Sequence, residues 1–236
     1  MTTDFIENFC EFGFTTIPRV IGEYEIENLS ESLSKLNSSS AVSKNNGATY
    51  GVRNLINLDS EVRKLAESYR IRNLAETILG KDAKPVKAIF FDKTPEANWK
   101  VPWHQDLTIA VKEKRETENF TAWTRKAEIY HVQPPVSVLE KILAVRIHLD
   151  DADETNGALK VVPKSHRKGR LTASEIQDLH NANEIELCRV RRGDAFLMRP
   201  LLVHSSSVGT NPKHRRVIHI EFSAEELPNG LEWYGS

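Results

Sequence analysis

Apolar residues fall into two textures along this chain, and the change comes near residue 85. Phe5, Phe9 and Phe12 recur at i, i+4 and i+7, which predicts an amphipathic helix stopped by Gly13. Phe14 to Val20 reads as a short strand. Ile26, Leu29, Leu33 and Leu36 predict a second helix over Glu23–Leu36. Asn37 to Gly51, with the serine run Ser38–Ser40, reads as a polar loop. A third helix is expected over Ser60–Leu79, with Gly80 as its C-cap. The Phe and Leu stripes are core faces.

From Pro85 onward the apolar runs are short and rich in Val, Ile and Phe. Pro85–Lys93, Leu143–Leu149, Ala158–Val162, Ala195–Met198 and Val217–Phe222 are the predicted strands. Thr94-Pro95, Asn156-Gly157, Pro163, Arg192-Gly193-Asp194 and Asn211-Pro212 punctuate them. Repeated short strands of this kind predict an antiparallel sandwich or barrel with helices packed outside it. The fold class is therefore α+β, mainly β. Residues 1–84 form the helical support and 85–236 the β core, and no linker divides the single domain 1–236. One polar segment, Val111–Pro135, reads as a long loop and a candidate lid whose Trp123, Tyr130, His131 and Gln133 would face a substrate.

Composition narrows the function classes. Of 236 residues, 32 are Lys or Arg and 33 are Asp or Glu, a net charge of −1 that argues against bulk binding to nucleic acid. Two cysteines, Cys10 and Cys188, are too few for a disulfide framework. No run approaches the length of a spanning helix, and acidic residues interrupt the N-terminal segment where a secretory signal would be apolar. A cytoplasmic protein with a small-molecule substrate, and neither a membrane nor a nucleic-acid partner, is the expectation.

The candidate chemistry begins at Trp103-His104-Gln105-Asp106. In an extended chain, His104 and Asp106 project on one face and suit a single metal ion. Alone, the pair would equally suit a surface histidine and a turn aspartate. His204, in Leu201-Leu202-Val203-His204-Ser205-Ser206, supplies a second imidazole, though a satisfied core histidine would look the same. Two histidines and one carboxylate form the facial set of non-haem Fe(II) oxygenases, and neither cysteine has zinc-site spacing. Arg215 shares one face of the last strand with Val217, His219 and Glu221, and its planar fork suits a carboxylate if it points inward. His166 has a local place in a turn and reads as structural.

Taken in order, WHQD, NGALKVVPKSH and GDAFLMRPLLVHSSS…HRRVIHIEF resemble the phytanoyl-CoA dioxygenase family of Fe(II)/2-oxoglutarate-dependent oxygenases, over essentially the whole chain. The resemblance implies a double-stranded β-helix, or jelly-roll, core with cupin-like architecture. It implies Fe(II) held by His104, Asp106 and His204, with 2-oxoglutarate and O2 as cosubstrates. Arg215 would take the distal carboxylate of 2-oxoglutarate, and Ser206 would touch it. Lys87 and Ile89, on the strand before WHQD, carry over as inward cosubstrate or substrate residues, and Phe91 shares their face. Gln105, within WHQD, joins the substrate candidates.

Two departures stand out. Pro163-Lys164-Ser165-His166 replaces the usual P-G-S-H turn, and Arg146 stands where coenzyme-A-type members have an aromatic residue. Arg146 shares a face with His148 and is expected to bind a carboxylate of cosubstrate or substrate. Arg53, after the polar loop, would close on an acidic substrate. The implied reaction is hydroxylation of an unactivated C–H of a small anionic or zwitterionic metabolite. Asp106 favours hydroxylation over chlorination, because halogenating relatives lack that carboxylate. The competing readings are a non-catalytic metal-binding sensor or binding module, a protein hydroxylase of the same superfamily, and a zinc hydrolase. The last lacks a general base beside the triad.

Overall fold

Side-chain alternation after residue 85 builds two facing walls, and the computed structural model shows both. It describes residues 4–36, 42–45, 48–211 and 213–235. The N-terminal part runs α1 Asp4–Phe12, β1 Phe14–Ile17, α2 Glu23–Ser34, β2 Val42–Asn45, β3 Ala48–Val52, α3 Leu55–Leu58, α4 Ser60–Glu67 and α5 Tyr69–Leu79. Next come β4 Lys84–Lys93, β5 Val101–His104, β6 Ile109–Val111, β7 Thr121–Lys126, β8 Ile129–Gln133, α6 Val136–Leu139 and β9 Ile142–His148. The chain continues with β10 Leu159–Val161, α7 Ala173–Ala182, β11 Glu186–Cys188, β12 Ala195–Met198, β13 His204–Ser206 and β14 Arg215–Ser223.

A seven-stranded sheet has the order β1-β12-β9-β14-β4-β3-β2, and a four-stranded sheet the order β11-β10-β13-β5. The pairings within both are antiparallel. This is the expected jelly-roll, α+β and mainly β. On β4, β9 and β14, one set of alternate residues (Ala88, Phe90, Val145, Ile147, Ile218, Ile220, Phe222) packs under the helices against Phe9, Ile26, Leu29, Leu65, Ile71 and Leu74. Burying such side chains stabilises by about 1.5–3 kcal/mol each, so the helical support fixes which face of the large sheet remains for chemistry. The other alternate set faces inward.

Three expectations change. The helix over Ser60–Leu79 is two helices, because Ser68 is extended (φ −61°, ψ 146°) and its hydroxyl donates to the Leu65 carbonyl at 2.7 Å. Within the polar stretch 37–51, residues 37–41, including the serine run, and 46–47 lie outside the described residues; the rest pairs as β2 and β3. Pro212 also lies outside them. The segment Val111–Pro135 is not one long loop. It carries β7 and β8, which pair with β6 in a three-stranded sheet. Phe120 and Val132 are buried in one cluster with Trp233, and Ile129 is buried as well. Both cysteines are free, Cys10 exposed and Cys188 buried. Among the described residues, no helix is long and apolar enough to cross a membrane.

Candidate metal and cosubstrate site

His104 ends β5 and His204 begins β13, and the two are direct partners in the antiparallel ladder. Register alone therefore puts their rings side by side, with centroids 4.2 Å apart and planes tilted by 48°. Asp106 follows β5 by two residues, and its backbone N–H donates to the Pro200 carbonyl at 2.9 Å, which fixes the turn. The His104 Nδ1 donates to the Pro102 carbonyl at 2.9 Å, and the His204 Nδ1 to the Leu202 carbonyl at 2.8 Å. A carbonyl can only accept, so both Nδ1 atoms carry a proton, and in the neutral ring each Nε2 presents a lone pair.

The His104 Nε2 lies 3.6 Å from Asp106 Oδ1, and the His204 Nε2 lies 3.7 Å from Asp106 Oδ2. These distances are long for hydrogen bonds and short enough for one ion to bridge. The three residues form a metal-competent cluster with ligand atoms within 4.8 Å of one another. Burial opposes the charge on Asp106, yet His204 and then His104 hold its carboxyl well below the usual carboxylate range. Burial pushes His204 down to about 4 against the pull of Asp106, so its ring is neutral and available as a ligand.

Beside the triad lies a cavity of about 210 Å³. Its wall on the large sheet is a ladder of rungs set by register. Lys93 pairs Arg215; Phe91 pairs Val217, which pairs His148; Ile89 pairs His219, which pairs Arg146; Lys87 pairs Glu221, which pairs Ala144. Exposure falls along β4, from half-buried Lys87, Ile89 and Phe91 to Lys93 at 0%. The Lys93 rung is therefore the closed end.

Arg215 is buried at that end, and its Nε and Nη1 have no hydrogen-bond partner. Burial, followed by the charge of Arg146, brings it down to about 9, still charged at neutral pH. Arg146 is buried too; its Nη1 donates to His219 Nδ1 at 3.0 Å and its Nε is unpartnered. His219 Nε2 then carries the ring proton and faces Glu221 Oε1 at 3.3 Å, and Lys87 Nζ donates to the same oxygen at 2.7 Å. Burial opposes ionisation of Glu221, but Lys87 leads the groups that lower it.

The cavity gathers Lys87, Ile89, Phe91, Arg146, Ser206 and Arg215 with the triad, as the sequence expected of inward residues. A smaller adjoining cavity of about 20 Å³ shares Lys87 and Ile89 and adds Arg53 and His131. Gln105, Trp123 and Gln133 line neither. Gln105 points away from its neighbours in sequence. Its Nε2 donates to the Gly169 and Leu201 carbonyls at 2.8 and 2.7 Å, and its Oε1 accepts from Leu171 N–H at 2.9 Å. Trp123 packs instead on the cluster around Trp233.

Sequence reasoning passed over Lys93, His219 and Glu221. Lys93 stands behind the cavity wall, donating to Ser206 Oγ at 2.9 Å and the Ser207 carbonyl at 2.7 Å. Ser206 in turn donates to the Gly157 carbonyl at 2.7 Å, so its hydroxyl proton is engaged within the fold. The signal for all three was present, since strand alternation puts them on the same faces as Lys87 and Arg215.

The model of the phytanoyl-CoA dioxygenase (PhyH) family matches residues 9–217. The chain belongs to the PhyH family. It is an Fe(II)- and 2-oxoglutarate-dependent dioxygenase of that family. Solved structures share the fold. AviO1 from Streptomyces viridochromogenes Tue57 is 23% identical, with a TM-score of 0.69 over 96% of this chain and 95% of that one. EctD from S. alaskensis, solved with 2-oxoglutarate and 5-hydroxyectoine, is 16% identical, with a TM-score of 0.74 over 94% of this chain and 76% of its own. The epimerase SnoN from nogalamycin biosynthesis, in complex with Fe3+, alpha ketoglutarate and nogalamycin RO, is 17% identical, with a TM-score of 0.68 over 96% and 90%. No curated protein matches the sequence. These PhyH-fold structures span a hydroxyectoine-bound protein and an epimerase, so the family leaves the substrate of this member open.

Proposed function

We propose that this PhyH-family dioxygenase hydroxylates a C–H bond of a small anionic or zwitterionic metabolite. His104, Asp106 and His204 hold Fe(II), and Arg215 takes the far carboxylate of 2-oxoglutarate. The observation that carries the reading is Arg215 itself, a buried guanidinium with two unpartnered N–H groups at the closed end of the cavity beside the triad. An unpaired buried charge is costly, and a carboxylate matches its fork geometry.

Bound iron with 2-oxoglutarate and O2 supplies an oxidant strong enough to attack unactivated carbon. The chain supplies the rest. Pro102 and Leu202 carbonyls lock the histidine tautomers, so the ligand atoms are set before metal arrives. Arg215 orients the cosubstrate along the rungs. Ile89, Phe91 and Leu159 give the cavity apolar walls that exclude water and hold a hydrocarbon portion. The cavity, about 210 Å³, admits a small molecule.

The test is 2-oxoglutarate titration into Fe(II)-loaded, oxygen-free protein, followed by succinate release in air with a metabolite panel. The reading expects Arg215→Met to weaken 2-oxoglutarate binding by roughly two orders of magnitude, the cost of losing a buried charged partner. Wild-type protein that holds Fe(II) but binds 2-oxoglutarate no better than Arg215→Met overturns it.

A further inference from the structure

Among the side chains that line the cavity, one positive charge is more than iron and cosubstrate need. Arg215, on the closed rung, answers the far carboxylate of 2-oxoglutarate. Fe(II), Asp106 and dianionic 2-oxoglutarate together carry one net negative charge, and Arg215 cancels it. Lys87 is spent on Glu221, at 2.7 Å. Arg146 has no carboxylate partner among the described residues. Its only hydrogen bond is to a neutral nitrogen of His219, and its Nε is buried without a partner. A buried guanidinium left this way costs several kcal/mol unless an anion joins it.

Position says which anion. Arg146 shares its rung with His219, while Arg215 lies four residues back along β14, about 13 Å of strand at 3.3 Å per residue. Arg146 and His219 line the same cavity as the metal triad, two rungs nearer its open end than Arg215. Beyond it lies the Lys87 rung, where the wall is more exposed. The cosubstrate runs from the metal toward Arg215; Arg146 stands two rungs from Arg215 toward the more exposed Lys87 rung, the end from which the molecule to be oxidised must enter. The Phe91 ring, 5.9 Å from the Arg146 guanidinium carbon, and Ile89 offer apolar surface beside it.

We propose that Arg146 is the substrate anchor and determines specificity, taking a carboxylate of a small metabolite whose short hydrocarbon body lies along Phe91 and Ile89. This deepens the dioxygenase reading and rests on it. The Lys87–Glu221 pair, neutral as a unit, selects no net charge.

The experiment uses full-length protein loaded with Fe(II) and 2-oxoglutarate without oxygen, probed by calorimetry with butanoate and its neutral counterpart butanamide. Wild type is expected to prefer butanoate by roughly tenfold, the value of one charge-assisted hydrogen-bonded contact. Arg146→Met erases that preference while 2-oxoglutarate affinity changes by less than about threefold, and Arg146→Lys, which keeps the charge without the fork, retains part of it. Loss of 2-oxoglutarate affinity in Arg146→Met as severe as in Arg215→Met overturns the proposal, because the arginine would then serve the cosubstrate. A butanoate preference that survives Arg146→Met, or is missing from wild type, overturns it too. Wild type that binds Fe(II) but not 2-oxoglutarate fails the dioxygenase reading first, before any probe is added.

Discussion

Lys93 and Arg215 are direct register partners across β4 and β14, two cations side by side at the closed end of the cavity. Burial, followed by the charge of Arg215, brings Lys93 down from its ordinary 10.5 to about 7. Between those values the unfolded chain carries a proton that the folded chain has lost. Stability without ligand therefore rises with pH across that window. Affinity for 2-oxoglutarate runs the other way, since a dianion at this end favours the ammonium. We expect the 2-oxoglutarate Kd to weaken as pH climbs past about 7, and the slope to flatten in Lys93→Met. Titrations at several pH values check this; a slope unchanged by Lys93→Met counts against it.

Arg215→Met should separate stability from binding. Removing an unpartnered buried charge and filling its place with an apolar chain is expected to stabilise the ligand-free protein by about 1–3 kcal/mol. The same change removes the 2-oxoglutarate contact. Urea denaturation and ligand titration on one sample measure both, and a destabilised variant would mean that the guanidinium has a structural partner.

The metal set makes a thermodynamic prediction of its own. An ion that binds only the folded chain stabilises it by about 2.7 kcal/mol at one hundred times its Kd. Fe(II), or Mn(II) as an air-stable substitute, should raise the melting temperature of wild type and leave His204→Ala and Asp106→Ala unmoved. A shift that persists in both variants would place the ion elsewhere.

Gln105 is expected to matter for folding rather than for substrate. Gln105→Ala strands two carbonyls and one backbone N–H that the side chain now satisfies. The Leu201 carbonyl, the buried one of the three, costs about 1–3 kcal/mol when orphaned, so the urea midpoint should fall. Unchanged stability, with weakened substrate binding, would restore the sequence reading.

Sequence carried different parts of this picture with different clarity. The triad was legible because its chemistry fixes residue types, and strand alternation fixes their side. Alternation already put Lys93 on the face of Lys87, but its importance comes from facing Arg215, a pairing that only the sheet register creates. Gln105 misled by adjacency: lying between two ligands, it points the opposite way. The hairpin of β7 and β8 was hidden for a local reason. Its turn, Ala127-Glu128, has both residues at positive φ (50° and 64°) without the Asn or Gly that normally announces such a turn. A segment dense in charge then reads as loop even though Ile129 and Val132 are buried.

The ladder position of His104 has a further consequence. β5 is the outermost strand of the four-stranded sheet, only Val101–His104 long, and its pairing with β13 is already irregular beyond His204. An ion held by one ligand on β5 and another on β13 would fasten that border strand to the body of the molecule, as a removable cross-link does. Loss of iron would then loosen this border as well as stop turnover, and amide exchange along Val101–His104 is expected to slow when Fe(II) binds.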